Sequence, residues 1–190
     1  MSYSDEFHAA LERTARLGLA APDGFQDVER KLLNDKRIRH MPKVLAPVFD
    51  GVTSYKELSG QCMSIHHAAR PILEEWLQHP VYYTIGWVDD GSPRGLHRID
   101  EATIVDKLAN GHHEATINLH AWLTLPTMEV IDLALANTFA VVHNKPEAYG
   151  SVISQKADDL KGFSYKPMLV GSDFLEKIGV FHNVTVYQLG

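Results

Sequence analysis

The chain has 190 residues, 45% of them apolar, with 24 Asp and Glu against 18 Lys and Arg for a formal charge of −6. That composition supplies one domain with its own hydrophobic core, and the acidic balance opposes the electrostatic footprint of a nucleic-acid binder. No run reaches the roughly 18–20 apolar residues that span a bilayer. The N-terminus also lacks the basic and apolar regions of a leader. The expectation is a soluble cytoplasmic protein that binds neither nucleic acid nor membrane, with export by a route without a readable signal left open.

Residues 1–45 read as a helical N-terminal portion. Phe7, Leu11, Ala15 and Leu17 to Leu19 recur at helical spacing after Ser4-Asp5-Glu6, and Val28, Leu32 and Leu33 do so after Pro22-Asp23. The basic residues Arg30, Lys31, Lys36, Arg37 and Arg39 read as a solvated helix face. Pro42 and Pro47 break the pattern, so residues 42–61 are expected to form a loop that leads to Cys62.

From Cys62 the apolar residues Ile65, Ala69, Ile72 and Trp76 advance by 4, 3 and 4, which describes one face of a helix that carries Pro71 as a kink. Cys62 then lies in the first turn, facing whatever the helix packs on. Val81 to Val88 reads as a strand and Asp100 to Asn110 as a helix ending at Gly111.

Between Ala115 and Leu125 the odd positions are aliphatic and the even ones include Asn118, His120 and Trp122, a period-two strand with His120 opposite the aliphatic row. A second strand, Glu129 to Leu133, gives Asp132 the same parity as His120. Keeping both aliphatic rows in one core requires a three-residue loop, Pro126 to Met128, which pairs Trp122 with Asp132 and sets His120 diagonal to the carboxylate. Diagonal Cβ atoms are roughly 7–8 Å apart, within reach of an imidazole–carboxylate contact. A two-residue loop would put Asp132 on the wrong face. Further on, Phe139 to Val142, Lys166 to Val170 and Val184 to Leu189 read as strands and Ser172 to Ile178 as a short helix.

Thiol catalysis needs a sulfur that ionises near neutral pH, a base to hold its proton and a group that orients the base. Cys62, the only cysteine, His120 and Asp132 supply these in chain order, on a helix start and two neighbouring strands. The Cys62 backbone N–H and the Gln61 side chain are candidates to hold an oxyanion. Asn118 is a second candidate to orient His120, and His66 lies one turn beyond Cys62, placed to tune it. Trp87 and Trp122 are candidates to line a substrate cleft.

Gly60-Gln61-Cys62 opening a helix, Thr84-Ile85-Gly86-Trp87-Val88, His120-Ala121-Trp122-Leu123 and Val130-Ile131-Asp132 together resemble the transglutaminase-like branch of the papain-like cysteine enzymes. The resemblance covers about residues 59–135. It implies an α+β, papain-like fold with a nucleophile helix on an antiparallel sheet, occupying residues 46–190. It also implies a hydrolase or transferase that acts on an amide bond of a protein or peptide through Cys62, His120 and Asp132, with no cofactor. Pro71 departs from the usual nucleophile helix. Two other readings stay open: a non-catalytic protein-binding module on the same fold, and a metal protein using His and Asp among His40, His66, His67, His112, His113 and His143.

Overall fold

The computed structural model describes residues 1–181 apart from 23, 53, 55–57 and 143. His143 and the strand expected at Val184 to Leu189 lie outside the described residues. The architecture is α+β: a five-stranded sheet in the order β4-β3-β2-β1-β5, with every neighbouring pair antiparallel. Its strands are β1 (Tyr82–Asp89), β2 (His120–Thr124), β3 (Glu129–Asp132), β4 (Ile153–Lys156) and β5 (Ser164–Val170). The helices are α1 (Tyr3–Arg16), α2 (Asp35–Val44), α3 (Cys62–Leu77), α4 (Glu101–Asn110), α5 (Leu135–Val142) and α6 (Asp173–Lys177).

Strand parity decides which helix each side chain meets. Tyr83, Ile85, Ala121, Leu123 and Ile131 pack with Cys62, Ile65, Ala69 and Leu73 of α3. Tyr82, Val88, Trp122 and Val130 pack with Tyr3, Phe7 and Ala10 of α1. Both faces of the sheet are therefore covered, and every residue of β2 and β3 is buried. The alternation through His120 separates two packing partners rather than core from solvent. β2 is also shorter than the expected Ala115–Leu125 strand, because residues 115–119 approach it without pairing.

α1 begins with a capping box, in which Ser2 Oγ accepts from the Asp5 N–H and Asp5 Oδ2 from the Ser2 N–H. Its buried stripe of Tyr3, Phe7, Ala10 and Thr14 lies across the sheet. The Tyr3 hydroxyl accepts from Trp122 Nε1 and shares a 2.7 Å hydrogen bond with Thr124 Oγ1. The N-terminal helix is part of the core.

The second expected helix is absent. Residues 25–34 run without regular structure, tied down by Val28 N–H on the Pro126 carbonyl and by Leu32 and Leu33 N–H on the buried Glu129 carboxylate. A helix follows only at α2, where Asn34 Oδ1 caps the Arg37 N–H. The basic run is thus split between an extended segment and a helix. α2 also continues through Pro42 to Val44 instead of ending before it. Pro42 lies in the last turn, and the helix continues without the bond that an N–H there would give the Ile38 carbonyl.

Two further expectations are corrected. α3 runs through Pro71, but its buried stripe continues as Ala69, Leu73 and Leu77, leaving Ile72 and Trp76 half-buried at the margin. Phe139 to Val142 is helical, not a strand. Asp132 Oδ1 collects the N–H groups of Ala134 and Leu135, and that local capping starts α5 and overrides the β propensity of Val and Phe.

Candidate active site

The β2–β3 hairpin has the three-residue loop. Leu123 pairs with Ile131 and Thr124 with Val130, while Leu125 N–H meets the Glu129 carbonyl and Met128 takes a left-handed φ of 59°. The same register, continued, sets Trp122 across from Asp132 and His120 diagonal to it. His120 Nε2 donates to Asp132 Oδ2 at 2.6 Å, with both side chains buried.

The first turn of α3 reaches this end of the sheet. Gly60 precedes it at φ 77°, a left-handed value that lets the Leu58–Gln61 turn close ahead of the helix. Cys62 is 6% exposed, and its side chain lies near enough to His120 to act on the imidazole's charge. With Nε2 committed to Asp132, Nδ1 is the ring nitrogen left available to the thiol.

Asp132 accepts four hydrogen bonds. Oδ2 takes His120 Nε2–H and, at 2.7 Å, the Tyr165 hydroxyl, while Oδ1 takes Ala134 and Leu135 N–H. Burial opposes its charge, but His120 and these donors hold the carboxyl well below the usual range. Burial likewise opposes the His120 imidazolium. The Asp132 carboxylate, its hydrogen bond and the Cys62 side chain outweigh that, and lift the His120 pKa to about 10.

His66 belongs to the same cluster in a different role. Its Nδ1 lies 2.6 Å from the Cys62 carbonyl and its Nε2 accepts the Leu133 N–H at 2.8 Å. A ring that accepts at Nε2 carries its proton on Nδ1 and is neutral, so the 3.6 Å approach of Nε2 to Asp132 Oδ1 is not an ion pair. Burial pushes its pKa down to about 4; the attraction of Asp132 and the Cys62 carbonyl oppose this, and the His120 charge adds to it. His66 therefore braces the Cys62 main chain against β3, in place of the expected contact with the thiol.

Asn118 is exposed and gives its amide to the Arg98 carbonyl at 2.9 Å, away from the His120 ring. Gln61 occupies the exposed N-cap position of α3 without a side-chain capping bond, and its Oε1 accepts from Ser64 Oγ. Trp122 is a core residue, fully buried against Tyr165 and Tyr3, rather than a cleft wall. Trp87 is half-buried beneath the loop after β1, where the Arg98 guanidinium lies 5.0 Å from its ring centroid.

Tyr165 and His97 complete the site, and neither was legible from spacing. Tyr165 and Val170 are five apart yet share the α1 side of the sheet, because β5 bulges where it passes the Ile85/Gly86 step of β1. That extra residue aims the Tyr165 hydroxyl at Asp132. His97 stacks on His120, with ring centroids 5.8 Å apart and planes 21° from parallel. Beside the cluster lies a mainly apolar groove of about 720 Å³, lined by Met41, Leu45, Phe49, Leu58, Leu133 and Val152 among others. Its floor residues Leu58 and Leu133 belong to the same packed cluster as Cys62.

Among the described residues, no three His, Cys, Asp or Glu side chains converge to hold a metal ion, and no helix is long and apolar enough to cross a membrane. In comparisons with known proteins, no family model, curated protein or solved structure matches the chain.

Proposed function

We propose that this protein is a thiol-dependent hydrolase or acyl/amide transferase of papain-like, transglutaminase-like type that acts on an amide bond of a protein or peptide. The observation that carries the reading is the 2.6 Å bond from His120 Nε2 to Asp132 Oδ2, which leaves Nδ1 available to Cys62 at the start of a helix.

In this reading Cys62 gives its proton to His120 and its sulfur attacks the amide carbonyl, with the first-turn N–H groups of α3 facing the developing oxyanion. The C–N bond breaks as His120 gives its proton to the departing amine, and a thioester forms on Cys62. Water or a second amine, deprotonated by His120, then attacks the thioester and returns the thiol. Asp132 holds the ring orientation and offsets the imidazolium charge throughout. The apolar groove suits an apolar side chain of the substrate.

Cys62 is the sole thiol, so its alkylation by iodoacetamide reports the site alone. Rapid alkylation in folded wild type, lost in His120→Ala, is the expected result, together with amide cleavage or ammonia release from a peptide mixture that Cys62→Ala abolishes. Slow alkylation that ignores His120 overturns the reading and leaves a protein-binding module.

A further inference from the structure

The loop between β1 and α4 is held on both sides of His97. Leu96 exchanges two backbone hydrogen bonds with Val88, at 2.7 and 3.0 Å. On the other side, the Arg98 carbonyl takes the Asn118 amide and its guanidinium lies over Trp87. Gly95 sits so close to Trp87 that a Cβ would fall 2.7 Å from the indole, which presses the loop onto the sheet. Between these anchors His97 has a φ of 56°, a left-handed value that non-glycine residues adopt only where their surroundings hold them. The outcome is one imidazole laid on another, in a stack that also contains Trp122 and Tyr165 at 24° and 18° to the His120 plane.

We propose that His97 is a positioning residue for His120: a neutral imidazole that covers the catalytic ring and holds its plane, and that leaves the stack when protonated, opening the site at acid pH. The proposal rests on the Cys62–His120–Asp132 reading, and it gives Trp87 and Asn118 a role as anchors of the loop that delivers His97.

Charge decides the direction. The groups acting on His97 from the elements around it are His120 of β2 and Asp132 of β3, and its loop neighbour Arg98 is turned over Trp87. Burial and the His120 cation both lower the His97 pKa, with Asp132 opposing them. A second imidazolium stacked at 5.8 Å on the first repels it. Neutral His97 therefore favours the closed arrangement, which is lost as pH falls through its depressed pKa.

The test is the pH profile of Cys62 alkylation by iodoacetamide in the full chain, for wild type, His97→Asn and His97→Phe, with circular dichroism to confirm folding. Asn tolerates the left-handed backbone but removes the ring, whereas Phe keeps a ring that does not titrate. Wild type is expected to show an acid inflection below the free-imidazole value of about 6.5 that both variants lack. A merely structural role would scale the rate equally at every pH. Superimposable profiles, or profiles that differ only by a constant factor, overturn the proposal.

NMR titration of the His97 ring separates this outcome from failure of the catalytic reading. Its midpoint is expected below about 6.5 and to rise in His120→Asn. An unchanged midpoint overturns the stacking role even if Cys62 proves unreactive.

Discussion

The Leu133 N–H donates to Nε2 of His66 at 2.8 Å, and this one bond settles which of two neighbouring histidines carries charge. With Nε2 used as an acceptor, His66 stays neutral and the Asp132 carboxylate is left to His120. His66→Leu would strand the Leu133 N–H in a buried setting, at about 1–3 kcal/mol, while the Cys62 carbonyl keeps its helical partner, the His66 backbone N–H. Urea unfolding at neutral pH is expected to show a loss of that order, with Cys62 alkylation reduced as the first turn of α3 loosens.

The same histidine predicts an acid weakness. Its folded pKa of about 4 lies below the unfolded value of about 6.5, so protonation favours the unfolded chain. Its contribution is intact above about pH 6.5 and is lost as pH falls toward 4, on the order of 3 kcal/mol in all. The unfolding midpoint should decline across that window in wild type, and the decline should be shallower in His66→Leu.

His120 has the opposite sign. Its pKa is raised to about 10, so the imidazolium stabilises the fold fully below about pH 6.5 and the contribution disappears as pH rises through 10. Asp132 is depressed and contributes above the ordinary carboxylate range, with its share lost on strong acidification. Asp132→Asn leaves His120 buried without its partner, for an expected cost of about 3–5 kcal/mol. Thermal melts of this variant are expected to lose the alkaline dependence seen in wild type.

Tyr165→Phe removes one donor to Asp132 and little volume. Hydrogen bonds to a charged group contribute about 1.5–3 kcal/mol, and the expected destabilisation falls in that range with the fold retained. If the variant matches wild type in urea, the β5 bulge serves packing alone.

Glu129 organises the segment that was expected to be a helix. Its buried carboxylate accepts from Leu32 and Leu33 N–H and from Thr127 Oγ1. Glu129→Gln turns an amide NH₂ toward those donors, so a loss of about 2–4 kcal/mol is expected. Amide exchange at Leu32 and Leu33 is expected to accelerate, while α3 amides are less affected.

Gly86 pairs with His120 at a point where a Cβ would overlap the Lys166 carbonyl and lie 2.8 Å from the Trp122 ring. Gly86→Ala must move backbone or the buried indole, a kind of overpacking that costs about 1–3 kcal/mol. Trp122 is fully buried, so its displacement should shift the fluorescence maximum of the native state.

Local pattern determined a definite part of this protein. The helix from Cys62, the strand through Val88, the helix closed by Gly111 and the three-residue hairpin loop all follow from periodicity and turn chemistry within short windows. The diagonal meeting of His120 and Asp132 follows as well, because a one-residue slip would have turned an aliphatic row out of its core.

Tertiary structure decided the rest, because those features depend on groups far apart in the chain. Parity alone could not show that α1 covers the face bearing His120, which makes Trp122 core and buries the whole β2–β3 pair. The clamp from Glu129 replaced a helix at residues 25–34, and capping by Asp132 replaced a strand at Phe139 to Val142. Tyr165 entered the site through a bulge that breaks period two, and His97 through a left-handed residue in a loop, positions on which hydrophobic spacing is silent.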